Sequence, residues 1–257
     1  ATLLHREGQG FESLSAHKNK MQIEILYEDD NLLAINKPSG LKVHGDGRTS
    51  DETLADWVLE KYPALKDVGE PGVLSDGRAI ARPGIVHRID AETSGVLVLV
   101  KNQETFLHLK NQFQTRAIKK HYNTFVYGVP KGVRAVINRP IGKSRRDPRL
   151  WSAQRGARGV LREAITQYRV AKTGTAHAYL DVFPRTGRTH QIRVHMKAIN
   201  HPIVCDRLYA PVHEPALGFT RLALHATAIT MIDITGREHK FEAPLPADFQ
   251  NALKNLQ

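Results

Sequence analysis

Residues 87–100, HRIDAETSGVLVLV, place a cluster of polar side chains directly before an apolar run. The five apolar residues Val96–Val100 predict a strand that is buried on both faces. Binding and catalytic groups often lie where such an element meets a loop, because a rigid scaffold then positions them. Asp90 is therefore a candidate functional carboxylate. The alternative is that Asp90 caps its loop through hydrogen bonds to a nearby Thr or Ser.

A second polar segment, TGRTHQIRVH at 186–195, leads into a predicted short helix, Thr189–Ala198. It supplies three more ionisable candidates, Arg188, His190 and Arg193. Both polar segments lie at the edge of a predicted regular element. The sequence therefore offers two places from which one site can be assembled.

Hydrophobic periodicity predicts an irregular succession of strands and helices. Helices are predicted at Thr53–Lys61 and Gln103–Gln114, where apolar residues recur at three- and four-residue steps. The predicted strands are Ile23–Tyr27, Leu32–Asn36, Val96–Val100, Thr124–Tyr127, Ala164–Val170, Ala176–Phe183, Ala223–Ile232 and His239–Glu242. Since strands often follow one another directly, we expect an α+β fold with a mixed, largely antiparallel sheet and flanking helices and loops.

Composition limits the classes of protein that fit the chain. It has 257 residues, 41% of them hydrophobic, with Cys205 as its single cysteine. One cysteine excludes a disulfide within the chain and a thiolate zinc site. The longest apolar run is too short to span a membrane, and the N-terminal residues do not form a secretory signal. We expect a cytoplasmic protein with no membrane partner, and a monomer because no heptad pattern occurs.

The net charge of +11 predicts a polyanionic partner. Positive charge is concentrated between Lys131 and Lys172, where the only acids are Asp147 and Glu163. This basic segment contains Lys131, Arg134, Arg139, Lys143, Arg145, Arg146, Arg149, Arg155, Arg158, Arg162, Arg169 and Lys172. Its prolines and glycines predict that much of it is loop. A solvated surface that keeps the protein soluble is the alternative, but arginine forks favour a face that binds RNA phosphates.

Several chemistries fit the residues poorly. His190 and His195 are five residues apart, whereas two metal ligands on one helix face are four apart, and no HExxH occurs. The serine hydrolase pattern GxSxG and the glycine-rich nucleotide-binding loops are also missing. Glycoside hydrolysis needs two carboxylates facing one bond. Glu92 is a second carboxylate near Asp90, but we expect it to lie outside the pocket of Asp90.

Ordered motifs along the chain resemble those of the RluA-type RNA pseudouridine synthases. IVHRIDAETSGVLVLVKN resembles the HRLD-x-x-TSG signature, with Ile89 in place of the commoner leucine. NKPSGLKVH at 36–44 is similar to an early family motif, Lys120–His121–Tyr122 to the K-x-Y element, and TGRTHQIRVH to a third. Later stretches are similar as well: Asn200–Ile203 with Asp206, Leu222–Ala226 and Phe241–Pro246. The resemblance spans about Ile23 to Gln257.

The resemblance implies the pseudouridine synthase fold and an isomerase that converts uridine in ribosomal or transfer RNA to pseudouridine. Because no atom is gained or lost, it implies neither metal nor cofactor. It makes Asp90 the essential carboxylate, Arg193 its partner, and Tyr122 the residue that stacks on the uracil. Arg88 resembles the arginine that fills the gap left by a flipped nucleotide. The chemical step of Asp90 stays open between attack on the sugar, attack on the base and removal of a sugar proton.

Further RNA contacts and the domain layout are also expectations. His87, Arg188 and His190 either contact RNA or hold loops, and Lys37 is a structural or phosphate contact. Lys143, Arg145 and Arg146 are expected to bind RNA. Residues 1–22 form a polar arm without the S4-like domain of many relatives, and residues 23–257 form the catalytic domain. Two other functions compete: a catalytically idle RNA-binding protein, and a nucleoside hydrolase that would release free uracil.

Overall fold

The computed structural model of the chain describes residues 21–45, 49–74, 77–145, 147, 150–154 and 156–257. The strands are β1 (Glu24–Glu28), β2 (Leu32–Lys37), β3 (Gly72–Val73), β4 (Ala79–Ile80), β5 (Ser94–Val100), β6 (Lys119–Tyr127), β7 (Arg134–Asn138), β8 (Ile141–Lys143), β9 (Trp151–Ser152), β10 (Arg158–Arg162), β11 (Ile165–Thr173), β12 (His177–Pro184), β13 (Leu224–Ile232) and β14 (Glu238–Glu242). The helices are α1 (Leu54–Lys61), α2 (Gln103–Gln114), α3 (Gln191–Ala198) and α4 (Ala247–Asn255), with a 3₁₀ turn at Pro63–Asp67. None of the helices in these ranges has both the length and the apolar character that a membrane crossing requires.

Nine strands form the central sheet in the order β1-β2-β5-β13-β6-β12-β11-β7, and β14 also pairs with β13. In the described ranges these neighbours are antiparallel, apart from β5 and β13, which run parallel. A smaller sheet joins β10, β8 and β9, and β3 pairs with β4. The predicted α+β fold with a largely antiparallel sheet is confirmed.

Strand β5 is buried along its whole length, as its apolar run predicts. Its first two residues, Ser94 and Gly95, pair with His225 and Ala226 of β13. Gly95 has φ +112°, and a Cβ atom there would lie 2.1 Å from the Ala226 carbonyl oxygen. Only glycine tolerates both this backbone conformation and this close approach. The polar loop that precedes β5 is therefore fixed against the middle of the sheet.

Local capping signals set the predicted helices. Helix α2 has the predicted bounds, and the side chain of Asn102 accepts a hydrogen bond from the backbone N–H of Thr105 at 2.9 Å. Helix α1 begins at Leu54 because Thr53 is its N-cap, in a capping box with Asp56. Such caps satisfy backbone N–H groups that would otherwise lack a partner at a helix start.

Two hydrophobic clusters lie on either side of the sheet centre. One packs α1 and α2 against β2 and β5, and the other packs α3 and α4 against β6, β12 and β13. Tyr122 of β6 contacts both clusters. This side chain therefore lies where the two halves of the core meet.

For residues 131–172 the sequence predicts much loop and one strand, Ala164–Val170. These residues contain β7, β8, β9, β10 and most of β11. All five residues of β10 are exposed, and Ile137 is the buried one in β7. The usual alternation of apolar and polar residues is therefore absent from these strands. Helix α4, which we did not predict, buries Phe249 and Ala252.

Candidate active site

Two adjoining cavities lie over the loop at residues 86–93. The large cleft, about 870 Å³, includes His44, Glu92, Lys143 and Trp151 in its lining. The small cavity, about 300 Å³, includes His87, Phe113, Lys120 and Tyr122 in its lining. Both are lined by Arg88, Ile89, Asp90, Thr189, His190 and Arg193. Asp90 and Arg193 therefore lie at the boundary between the two cavities.

The segment at 37–41 holds the Asp90 loop in place. Lys37 is fully buried, and its Nζ donates hydrogen bonds to the carbonyl oxygens of Pro38, Leu41 and Ala91 at 2.7, 2.9 and 2.9 Å. Ser39 Oγ adds a bond to the carbonyl oxygen of Glu92 at 2.6 Å. Burial lowers the pKa of Lys37 to about 7, and the negative charge of Asp90 opposes that shift. Its three carbonyl partners give Lys37 the structural role considered for it.

Arg193, on α3, binds two carboxylates at once. Its Nε and Nη2 donate to the two oxygens of Asp206 at 2.8 and 2.7 Å, and its Nη1 donates to Asp90 Oδ2 at 3.4 Å. Asp206 also accepts the backbone N–H groups of Leu208 and Tyr209. Burial alone would lower the pKa of Arg193, but the hydrogen bond and charge of Asp206, with the charges of Asp90 and Glu92, raise it. Arg193 is thus a permanent cation.

The expected contact between Arg193 and Asp90 is present, but the bidentate pair is formed with Asp206. Nη1 is left to face Asp90. The expectation that Glu92 lies outside the pocket of Asp90 is wrong, because both residues line the large cleft. Glu92 Oε2 lies 3.6 Å from Arg193 Nη2. The turn over residues 90–93 brings both carboxylates to the same guanidinium.

Tyr122 projects from β6 into the small cavity that Asp90 also lines. Burial raises the pKa of its phenol, and the negative charge of Asp90 raises it further. The phenol is therefore neutral across the physiological range. A neutral aromatic ring beside a carboxylate in a cavity of this size can stack on a planar base.

His190 connects α3 to the site. It has a left-handed backbone, φ 55°, directly before α3, and its Nδ1 is hydrogen-bonded to the Tyr209 hydroxyl at 2.8 Å. Its Nε2 lies 4.0 Å from Asp90 Oδ1. Burial lowers the pKa of His190, although Asp90 opposes this. A mainly neutral imidazole thus lies close to the carboxylate.

The other candidates from the two polar segments have different surroundings. Arg88 is exposed in both cavity linings, and its Nη1 donates to His44 Nε2 at 2.9 Å. His87 stacks on Phe113 and accepts the backbone N–H of Val98 at 3.0 Å, and burial lowers its pKa to about 3. Arg188 donates to the Glu163 carbonyl oxygen at 3.0 Å. For all three, contact with RNA stays a prediction.

Of the basic residues predicted to bind RNA, Lys143 lies nearest the site. It lines the large cleft, with its Nζ 4.2 Å from the centre of the Trp151 ring. Arg145 is exposed beside a neighbouring cavity of about 340 Å³. Arg146 lies outside the described residues.

Sequence reasoning missed three residues that shape the site. Asp206 was recognised as part of a motif, but not as the bidentate partner of Arg193. Lys120 lines the small cavity, although the K-x-Y element drew attention only to its tyrosine. The Tyr209 hydroxyl is hydrogen-bonded to His190, and the Arg193 guanidinium carbon lies 5.1 Å from the centre of the Tyr209 ring. The position of Lys120 two residues before Tyr122 was the available signal, since alternate residues share a strand face.

The small cavity, in whose described lining Asp90 is the one acidic residue, suits chemistry by a single carboxylate on a polar ring-shaped substrate. Asp90 is held by a buried cation, and an aromatic ring lines the cavity beside it. In the described ranges, no three His, Cys, Asp or Glu side chains form a cluster suited to a metal ion.

Comparison with known proteins gives a consistent result. The family model described as RNA pseudouridylate synthase matches residues 31–198. Ribosomal large subunit pseudouridine synthase D of Pseudomonas aeruginosa is 36% identical over 252 residues, which cover 92% of this chain and 72% of that protein. An uncharacterised RNA pseudouridine synthase of Synechocystis sp. is 35% identical over 239 residues, covering 91% and 69%.

A solved structure extends the likeness to the fold. Human RNA pseudouridylate synthase domain containing 4 superimposes with a TM-score of 0.68 at 26% identity, covering 91% of this chain and 92% of that chain. The family model includes Asp90, Tyr122 and Arg193 within the matched residues. The chain therefore belongs to the RluA-type family of RNA pseudouridine synthases, isomerases that act on uridine in RNA.

Proposed function

We propose that this pseudouridine synthase modifies specific uridines of large-subunit ribosomal RNA, with Asp90 as its essential carboxylate. The similarity to ribosomal large subunit pseudouridine synthase D of Pseudomonas aeruginosa supports this RNA class. The observation that carries the role of Asp90 is its position between the two cavities, beside Arg193 and in the small cavity with Tyr122. We place this reaction in the cytoplasm and infer that the protein acts as a monomer. The reaction needs neither metal nor cofactor in this proposal, because the isomerisation is redox-neutral and keeps every atom.

Base flipping follows from the size of the site. The small cavity, about 300 Å³, is at the lower end of cavities that bind small organic ligands. A uridine stacked in folded RNA cannot enter it, so the nucleotide must be extruded at a cost of roughly a few kcal/mol. Arg88 is exposed where the two cavities adjoin, and its guanidinium can stack in the gap that the extruded nucleotide leaves. The uracil then lies on Tyr122, next to Asp90.

The exposed basic segment supplies most of the RNA affinity in this proposal. Each of its described arginines and lysines is exposed. Lys143, whose ammonium lies over the Trp151 ring, extends this charge into the large cleft. Phosphates of the RNA then bind outside the site while one nucleotide enters it.

The test is an Asp90→Asn variant assayed on large-subunit ribosomal RNA carrying tritium at carbon 5 of uridine. Carbon 5 loses its hydrogen when it bonds to the sugar, so released tritium counts product. We expect the single-turnover rate to fall by at least about 10³-fold, since the amide lacks the charge and basicity of the carboxylate. RNA binding should stay within about threefold, because phosphate contacts dominate affinity. Glu92→Gln, which changes the neighbouring carboxylate, is the matched control and should keep most of the activity.

Activity of Asp90→Asn near that of the wild type would contradict the proposal that Asp90 is the essential carboxylate. Free uracil among the products would instead indicate a hydrolase, and RNA binding without any product an idle binding protein. Mapping pseudouridines in total RNA from cells with and without the gene identifies the target. Loss of a site in transfer RNA alone would contradict the ribosomal assignment.

A further inference from the structure

Lys120 is a cation in the small cavity that the site described so far does not use. It lies on β6 two residues before Tyr122, so both side chains leave the same face of the strand. Both line the small cavity together with Asp90. The ammonium group therefore belongs to the space that we assign to the uracil.

The ammonium of Lys120 has few partners within the protein. Its Nζ donates one hydrogen bond, to the carbonyl oxygen of Thr186 at 3.1 Å. Within the described ranges, no carboxylate lies within ion-pair distance, 4.0 Å, of it. A lysine ammonium carries three N–H donors. Lys37, by contrast, uses all three on backbone carbonyls. Lys120 thus keeps donors for a molecule in the small cavity.

The charged and titratable groups around this cavity are His87, Arg88, Asp90, Arg188, His190 and Arg193, with the Tyr122 phenol. Asp90 accepts a hydrogen bond from Arg193, whose guanidinium also binds Asp206. Burial lowers the pKa of Lys120 to about 8. The positive charge of Lys120 in turn contributes, after burial, to the lowered pKa of His87.

Isomerisation of uridine puts negative charge on the base. When the bond between N1 and the sugar carbon breaks, its electron pair goes to the base and spreads over N1, O2 and O4. The new bond from carbon 5 uses an electron pair of the base. The hydrogen of carbon 5 then leaves as a proton and N1 receives one, so no atom is lost. A fixed cationic donor at a carbonyl oxygen stabilises the charge at the stage where it develops.

We propose that Lys120 is a further catalytic residue, whose ammonium donates a hydrogen bond to a carbonyl oxygen of the target uracil and stabilises the negative charge of the detached base. This inference rests on the proposed function, because it requires the uracil to occupy the small cavity. It assigns the two cations of the site to different tasks: Arg193 holds the carboxylate, and Lys120 holds the base.

The experiment compares Lys120→Gln and Lys120→Arg with the wild type in single turnover, on the tritiated ribosomal RNA described above. Lys120→Gln keeps a donor for the Thr186 carbonyl but removes the charge, so the rate should fall about 10²- to 10³-fold. Lys120→Arg keeps the charge and should stay within about tenfold. The Kd for the RNA should change less than about threefold in both variants, because the uracil contact is one of many.

The pH profile separates this role from a structural one. In the wild type the rate should fall as pH rises through about 8, because the Lys120 ammonium then loses its proton. In Lys120→Arg this fall should be absent up to about pH 10, since a guanidinium keeps its charge. Titration of the RNA itself is common to both proteins, so their difference reports on residue 120.

A wild-type rate in Lys120→Gln, or identical pH profiles for the wild type and Lys120→Arg, would overturn the proposal. A loss of rate in Lys120→Gln that is matched by loss of thermal stability and RNA binding would assign Lys120 a structural role and overturn it too. If Lys120→Gln does not fold, the two pH profiles decide. An active wild type with unaffected variants refutes this inference alone, whereas a wild type that forms no pseudouridine refutes the proposed function.

Discussion

The buried cations at and below the Asp90 loop and the cations of the basic segment differ in how they are held. Arg193 and Lys37 are buried, and their donors are bound to carboxylate or carbonyl oxygens. The described basic side chains of residues 131–172 are all exposed. Some of these bind protein atoms as well, as Arg169 binds Asp181 at 2.6 Å, but none is enclosed.

This difference separates two ways of using positive charge. A buried, prearranged cation needs no reorganisation during the reaction, so its effect on rate is large and depends on geometry. Water and salt screen the attraction between an exposed cation and a phosphate. The contribution of each such cation to RNA affinity is therefore small and adds to that of its neighbours. Single substitutions in the pocket should therefore lower the stability or the rate strongly. Single substitutions on the basic segment should lower the RNA affinity only slightly.

Breaking the Arg193–Asp206 pair should have the largest effect. Asp206→Asn leaves a buried guanidinium without its bidentate partner, and we expect a loss of about 3–5 kcal/mol in the free energy of unfolding. For a chain of this size that lowers Tm by roughly 10 °C. Arg193→Lys tests the same pair, because an ammonium cannot reproduce the two parallel bonds. Thermal unfolding and single-turnover rates below the Tm of each variant measure both effects.

The matched control is Asp248→Asn, which breaks an Arg–Asp pair that is partly exposed. Arg221 Nε lies 2.7 Å from Asp248 Oδ2, with side-chain exposures of 21% and 30%. This pair should contribute roughly 1 kcal/mol or less. Equal losses in the free energy of unfolding from Asp206→Asn and Asp248→Asn would show that burial does not make the Arg193–Asp206 pair more stabilising.

Acid should destabilise the protein through the buried His225 and the half-buried His87. Burial lowers the pKa of His87 to about 3 and of His225 to about 4, from 6.5. In the unfolded chain both take up protons near pH 6.5, whereas the folded protein does so only at lower pH. Their stabilisation is thus complete above pH 6.5 and is lost as pH falls towards 4, by about 3 kcal/mol for each histidine.

Denaturant titrations between pH 7 and 4.5 measure this loss. His87→Gln keeps an acceptor for the Val98 N–H but cannot be protonated in this range, so its stability should fall less steeply than that of the wild type. Parallel pH dependences for the two proteins would contradict the assignment to His87.

Substitutions on the basic segment should have the smallest effect. Arg134→Gln and Arg158→Gln, both exposed, should each weaken RNA binding about two- to fivefold and reduce the salt dependence by about one counterion. The single-turnover rate at saturating RNA should not change. Lys254→Gln, exposed on α4, is a charge-matched control outside the segment and should leave affinity unchanged. A fall in the single-turnover rate of either arginine variant would show that the residue acts in the reaction as well as in RNA binding.

Much of the fold and the site was predictable because the signals are local. Helix α2 follows from its cap and its periodic apolar residues, and β5 from an uninterrupted apolar run. The family motifs identified Asp90, Tyr122 and Arg193 as candidates, and the structure brings them around adjoining cavities. The bidentate pairing of Arg193 was not predictable, because residue 206 lies on a loop beyond the end of α3 and nothing in the spacing distinguishes it from residue 90 or 92.

Strands β7 to β10 of the basic segment were missed for another reason. Side chains of β10 are exposed on both faces, so the sequence shows charge and glycine rather than alternation. The pairing of β10 with β8 depends on contacts between the two strands, which no local sequence pattern predicts. The element that binds RNA in our proposal is thus the one whose sequence is least typical of a strand.

The position of β13 has a consequence for how the protein is made. This strand lies between β5 and β6, although it is separated from β6 by nearly a hundred residues of chain. The two sides of the sheet, with Asp90 on the loop before β5 and Tyr122 on β6, cannot be joined until β13 has left the ribosome. Such late, long-range closure slows folding. We therefore expect a nascent chain that ends before β13 to be inactive, although it already contains Asp90, Tyr122 and Arg193.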